Sequence, residues 1–153
     1  MRYIIGLCGS GKTTLYRKLN EEKQCSAVEI ELPQSCIGNN KFINKLFKLY
    51  LSNPSIDCII AHPYYLPKNF KKYIKENDTI EFLEIPFKER FERILKRSNE
   101  INSDCQIFSI DYLYKEEQTL LELKRSLLWL IQRKNLIMDY LIVLKFIQIL
   151  TRF

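Results

Sequence analysis

The stretch "GLCGSGKTT", residues 6–14, restricts the fold more than any other part of the chain. It gathers three of the four glycines within six positions. The apolar run Tyr3–Cys8 leads into it, and "KTTLYRKLNEEK" (12–23) leaves it with Leu15, Tyr16 and Leu19 on one helical face. Gly6, Gly11, Lys12 and Thr13 complete the pattern GxxxxGK[ST]. A strand that ends in such a turn and passes straight into a helix brings bare backbone N–H groups to the positive end of that helix, where phosphate oxygens are favoured. The expected phosphate cradle is Gly6, Cys8, Gly9, Ser10, Gly11, Lys12, Thr13 and Thr14. In that arrangement Lys12 reaches the β- and γ-phosphates of ATP, and the Thr13 hydroxyl ligates Mg²⁺. Cys8 serves there as a small side chain.

The rest of the chain alternates. "SAVEIEL" (26–32) reads as a second strand ended by Pro33. "NKFINKLFKLYLS" (40–52) has Phe42, Ile43, Leu46, Phe47, Leu49 and Tyr50 at helical spacing. "DCIIAH" (57–62) is a third strand between Pro54 and Pro63, and "PKNFKKYIKEN" (67–77) reads as a short basic helix. "TIEFLEI" (79–85) is a fourth strand, and "PFKERFERILKRSNE" (86–100) a helix with proline in its first turn. A polar stretch covers 99–109, and a long helical pattern runs from 111 to 134. Strand and helix in alternation predict a single α/β domain over 1–153, three layers deep. Its sheet is mostly parallel, with four to five strands, and the segment 111–153 is mostly helical.

The apolar segment "LIMDYLIVLKFIQIL" (136–150) fits either a strand at Tyr140–Leu144 with a helical tail or one buried helix. Asp139 and Lys145 interrupt it, and Arg133 and Lys134 precede it, so it stays short of the ~18 clean apolar residues of a membrane span. Burial inside the chain or in a homodimer is expected. The net charge of +6 favours anionic partners. Five cysteines, an odd count without CxxC spacing, argue against a disulfide framework or a zinc site. With no leader-like start, a reducing cytoplasm is the expected home.

"GLCGSGKTTLYRKL", "DCIIAHPYYLP" and "IEFLEIPFKERFERILKR" together resemble the small P-loop kinases, both nucleoside/nucleotide kinase-like and polynucleotide-kinase-like. The likeness covers most of residues 1–100. It implies an ATP- and Mg²⁺-dependent phosphotransferase acting on a nucleoside, a nucleotide or a polynucleotide 5′-hydroxyl. The chain departs from the family where the third strand ends: Ala61 and His62 stand where an acid is expected, and Asp57 lies at the other end. Of the carboxylates at the end of the second strand, Glu31 is the better candidate for a base than Glu29, against the reading of an exposed strand carboxylate. His62, the only histidine, is a candidate replacement for the missing acid, since its near-neutral pKa suits proton transfer. Tyr64 and Tyr65 follow it.

Arg90, Arg93 and Arg97 recur at i, i+3 and i+7, within roughly a 60° arc at about 100° per residue. By the resemblance, Arg97 clamps phosphates and Arg93 lies nearer the base, whereas Arg90 should matter least. The opposing reading of the whole chain is a nucleotide-binding module or regulatory ATPase without kinase activity, which the missing acid favours. The lysines Lys68, Lys71, Lys72 and Lys75 read as a solvated face, or as a patch for a polynucleotide acceptor.

Overall fold

The computed structural model describes residues 1–100 and 110–128, with side chains at 34 and 98–100 left aside. The expected feature at 136–150 lies outside them. The first strand, β1 (Arg2–Gly6), leads through the glycine-rich turn into α1 (Lys12–Glu21). Then come β2 (Ala27–Ile30), α2 (Asn40–Ser52), β3 (Cys58–Ala61), β4 (Thr79–Leu83) and α3 (Phe87–Glu100). A further helix, α4, covers residues 110–128.

All pairings are parallel, in the order β2-β3-β1-β4. Tyr3 pairs with Ile59 and Ile5 with Ala61. Successive strand residues point to opposite faces, and here both faces are apolar, as a sheet covered on two sides requires. Tyr3, Ile5, Ile59 and Ala61 pack with Phe47 of α2 and with Leu120 and Leu127 of α4. Ile4, Cys58 and Ile60 pack on the other side with Leu19, Leu15 and Tyr16 of α1. The result is a three-layer α/β/α arrangement, with four parallel strands among the described residues.

The chain turns left from β1 to β2 and right from β3 to β4, so the order reverses beside β1. Open parallel sheets form their binding crevice at such a reversal, beyond the carboxyl ends of the strands. The glycine-rich turn lies there.

Three elements differ from expectation. Residues 67–77 do not form an α-helix, only a short 3₁₀ turn at Phe70–Lys72. The Asp78 carboxylate accepts from the Lys75 N–H at 2.8 Å, which favours a turn over helix continuation. Aromatic packing of Phe70 and Tyr73 on Phe47 fixes the segment instead. On α2, Ile43 and Phe47 are buried, but Phe42 and Leu49 are exposed. On α3, Phe87 and Leu95 are largely exposed, and the residue that enters the core is Arg90. Among the described residues no helix is long and apolar enough to cross a membrane.

Candidate functional site

At the carboxyl edge of the sheet is a cleft of about 260 Å³. The turn after β1 forms its floor through Cys8, Gly9, Lys12 and Thr13, and the end of β2 forms one wall with Glu29 and Glu31. His62 and Tyr65 follow β3, and Arg97, Tyr112 and Glu116 close the other side from α3 and α4. Of the expected site residues, Cys8, Gly9, Lys12, Thr13, His62 and Arg97 line this cavity, whereas Gly6, Ser10, Gly11, Thr14 and Arg93 do not.

The turn's shape depends on backbone that side chains disfavour. Gly9 has φ 77° and Gly11 φ 92°, both in the left-handed region. A Cβ on Gly9 would come within 3.0 Å of the Arg90 carbonyl oxygen and of Ile94, so α3 lies directly against the turn. Gly11 precedes α1, and Lys12, Thr13 and Thr14 form that helix's first turn, whose N–H groups lack intrahelical acceptors. Ser10 is buried.

Lys12 Nζ donates to the Leu7 carbonyl at 2.9 Å, folding the side chain back over the turn. Burial lowers its pKa, against the opposing pull of Glu29, Glu116 and other acidic groups. Thr13 Oγ1 donates to Glu29 Oε1 at 3.1 Å. Burial pushes the Glu29 carboxyl up, although the Thr13 hydroxyl acts in the other direction. Glu31, by contrast, is exposed at the lip. Glu29 rather than Glu31 is thus the carboxylate joined to the loop, because it is still within β2 whereas Glu31 has passed the strand's end.

These groups fit ATP with Mg²⁺. The turn is a cradle that a Cβ would fill, and hydroxyl and carboxylate oxygens at its rim are the hard donors Mg²⁺ takes alongside phosphates and water. Among the described residues no cluster of three His, Cys, Asp or Glu side chains could hold a metal by itself. Burial raises the Cys8 thiol pKa, so thiolate chemistry is disfavoured there.

His62 lies in the cleft wall, hydrogen-bonded at Nδ1 and with a carboxylate beside Nε2. Nδ1 accepts from the Tyr64 N–H at 3.2 Å. Nε2 is 2.8 Å from Glu116 Oε1, with the ring N–H poorly aligned on that oxygen. Burial lowers the histidine's pKa, against the contrary effect of Glu116.

Glu116 is the residue that sequence reading missed. It is 1% exposed, and its other oxygen, Oε2, accepts from Arg90 Nη1 at 2.8 Å. The same Arg90 nitrogen donates to the Cys8 carbonyl at 3.2 Å, while Nη2 donates to Glu117 at 3.0 Å. Arg90 therefore ties α4 to the turn, contrary to the expectation that it matters least: a guanidinium offers several donors in one plane, and here they span two helices and a loop. The findable signal was local. Glu116 falls three residues after Leu113 and four before Leu120, inside the buried stripe of α4.

The other two arginines are exposed. Arg93 pairs with Glu89 at 2.6 Å and lies beside Gly11, where a Cβ would be 3.7 Å from its Nη1. Arg97 lines the cleft and has no ion-pair partner among the described residues.

No family model matches the chain, and no curated protein matches it. Two solved structures of deoxyadenosine kinase from M. mycoides are similar in shape. One, with products dCMP and a flexible dCDP bound, is 13% identical over 82% of this chain and 84% of that one, with a TM-score of 0.46. The other, with dATP bound, is 14% identical over 84% and 86%, with a TM-score of 0.48. At that distance the account of the site rests on the chain's own residues.

Proposed function

We propose that this protein is an ATP-dependent phosphotransferase of the small P-loop kinase type, working in the cytoplasm with Mg²⁺. The observation that carries the reading is the convergence of Lys12, the Thr13–Glu29 pair and Arg97 on a glycine turn whose backbone admits no side chain at Gly9. Phosphoryl transfer asks chiefly for positioning and for cations around the moving group. Lys12 and Arg97 supply the cations; Thr13 and Glu29 would hold the metal, which neutralises phosphate charge when bound.

In the reaction the acceptor oxygen, a hydroxyl of a nucleoside or polynucleotide end or a phosphate oxygen of a nucleotide, bonds to the γ-phosphorus as the bond to the β–γ bridging oxygen breaks. ADP leaves with that electron pair, and where the acceptor is a hydroxyl its proton passes to a carboxylate. Glu31, exposed where the cleft opens, is open to an acceptor in a way that Glu29 is not. The acceptor is a nucleoside, a nucleotide or a polynucleotide end.

A second reading has its own support. His62, in the place of the usual acid, accepts at Nδ1 from the Tyr64 N–H and faces the buried Glu116 with Nε2 rather than the cleft's acceptor side, which suits a nucleotide-binding module or regulatory ATPase with no acceptor. A thermal-shift screen with Mg-ATP and candidate acceptors, followed by transfer of labelled γ-phosphate, separates the two. Labelled acceptor supports the kinase. Stabilisation by Mg-ATP with label released only as inorganic phosphate, or not at all, supports the second reading.

A further inference from the structure

A second and larger cavity, about 620 Å³, adjoins the phosphate cleft. Ile37 and Ile43 form its α2 side, Pro63, Tyr64 and Pro67 its floor, and Leu123 and Leu127 its α4 side, with Lys68 and Lys71 at the rim. The segment after β3 separates the two cavities, because His62 and Tyr65 line the cleft while Pro63 and Tyr64 line the groove. The Tyr64 ring contacts Tyr112, a cleft residue, at 6.3 Å, and its hydroxyl accepts from Thr119 at 3.4 Å. Tyr112 and Thr119 are seven residues apart on α4, which is about 10 Å.

The charge around the groove is one-sided. Between residues 33 and 75 the chain carries seven lysines and one carboxylate, Asp57. Asp57 precedes β3, at the edge of the sheet opposite the groove. Lys41, Lys45 and Lys48 share the outer face of α2, and Lys68, Lys71, Lys72 and Lys75 follow the groove floor; all seven are exposed. None is in an ion pair among the described residues. Glu122 is the one carboxylate in the groove wall.

We propose that this groove binds single-stranded nucleic acid, with a base against Tyr64 and the backbone phosphates on Lys68 and Lys71. Grooves for unpaired strands combine a cationic track with aromatic rings, since every base offers a face to stack and every nucleotide a phosphate. A duplex cannot offer its bases to such a pocket. The inference rests on the phosphotransferase reading for its meaning, because it makes the acceptor a polynucleotide end delivered about 10 Å from the cleft, but the binding itself needs no ATP.

The test is fluorescence anisotropy of a labelled single-stranded oligonucleotide with the full chain, without nucleotide, across a salt series. Affinity should fall as salt rises. The doubly substituted Lys68→Ala/Lys71→Ala protein should bind more weakly and lose about 1.4 from the log–log salt slope, at ~0.7 per phosphate contact. Tyr64→Ala should weaken binding roughly tenfold with little change of slope, as loss of one stacked base does. An unchanged slope in the lysine variant overturns the proposal. So does equal affinity for a duplex of the same charge, or for vesicles of anionic lipid, the latter marking a membrane-facing patch instead. If oligonucleotide binds as expected but no label reaches it or any nucleoside or nucleotide, the groove stands and the kinase reading fails.

Discussion

Arg90 and Glu116 form a buried ion pair beside the phosphate turn, with Nη1 2.8 Å from Oε2 and both side chains about 1–2% exposed. The pair joins α3 to α4, and through the Cys8 carbonyl it joins both to the turn. Removing one partner of such a pair strands the other in a poorly solvating interior. Arg90→Ala should therefore destabilise the fold by ~3–5 kcal/mol. Urea denaturation measures it; a loss below about 1 kcal/mol would show that the pair is solvated after all.

The glycine turn should resist even one added methyl. Gly9→Ala places a Cβ against the Arg90 carbonyl and holds the residue in a left-handed conformation costing roughly 1–2 kcal/mol. The expected outcome is weakened Mg-ATP binding, with α3 displaced from the turn. Calorimetry with Mg-ATP checks this, and unaltered affinity would mean that the turn relaxes freely.

Much of this was legible in the sequence, and for a local reason. The turn, Lys12 and Thr13 lie within eight consecutive residues, so their spacing alone states their geometry. The strands were legible because apolar runs bounded by proline or glycine leave few alternatives. The Arg90–Glu116 link was not, because it joins residues 26 apart on different helices. Nothing local told which arginine of the row would turn inward. The segment 67–77 was misread because Lys68, Lys71, Lys72 and Lys75 with Phe70 and Tyr73 imitate an amphipathic helix, while the Lys75 N–H donating to the Asp78 carboxylate, three residues on, is a turn bond that residue periodicity does not register.

Thr13 and Glu29 should act through the metal. Thr13→Ala and Glu29→Gln are expected to weaken ATP binding when Mg²⁺ is present and to leave binding in chelator nearly unchanged. Burial raises the Glu29 carboxyl pKa, so the Mg²⁺-dependent part of binding should fade on acidification at higher pH than an ordinary glutamate would cause. Titrations at several pH values with and without metal decide it; equal losses in chelator would remove both residues from the metal's surroundings.

His62 predicts a stability change with a definite sign. Its pKa is lowered in the fold, chiefly by burial, so in the window between the lowered value and the ordinary one near 6.5 the unfolded chain binds the extra proton. Stability then rises with pH in that window and is lost as pH falls through it. Glu116, whose pKa is held down by His62 and Arg90 against the effect of burial, adds its own loss at lower, carboxylate pH. His62→Gln should flatten the upper window and, by removing one of the two groups that hold Glu116 down, shrink the lower one as well. Thermal melts from pH 7 to 5 show this, and an unaltered profile would contradict it.

The two exposed arginines should differ in kinetics once an acceptor is known. Arg97 lines the cleft, so Arg97→Ala should lower kcat, by on the order of 10³-fold if it neutralises charge in the transition state. Arg93→Ala, beside Gly11 and paired with Glu89, should raise KM for ATP with little effect on kcat. Two near-wild-type enzymes would make the row a solvated helix face.

The central claim is that the turn binds a nucleotide triphosphate through Lys12. Isothermal titration calorimetry of Mg-ATP into the wild-type protein and into Lys12→Ala, with folding of both verified by circular dichroism, tests it most directly. The account predicts saturable one-to-one binding to the wild type and none detectable to the folded variant. Equal affinity in the two proteins, or no binding to either, would contradict it.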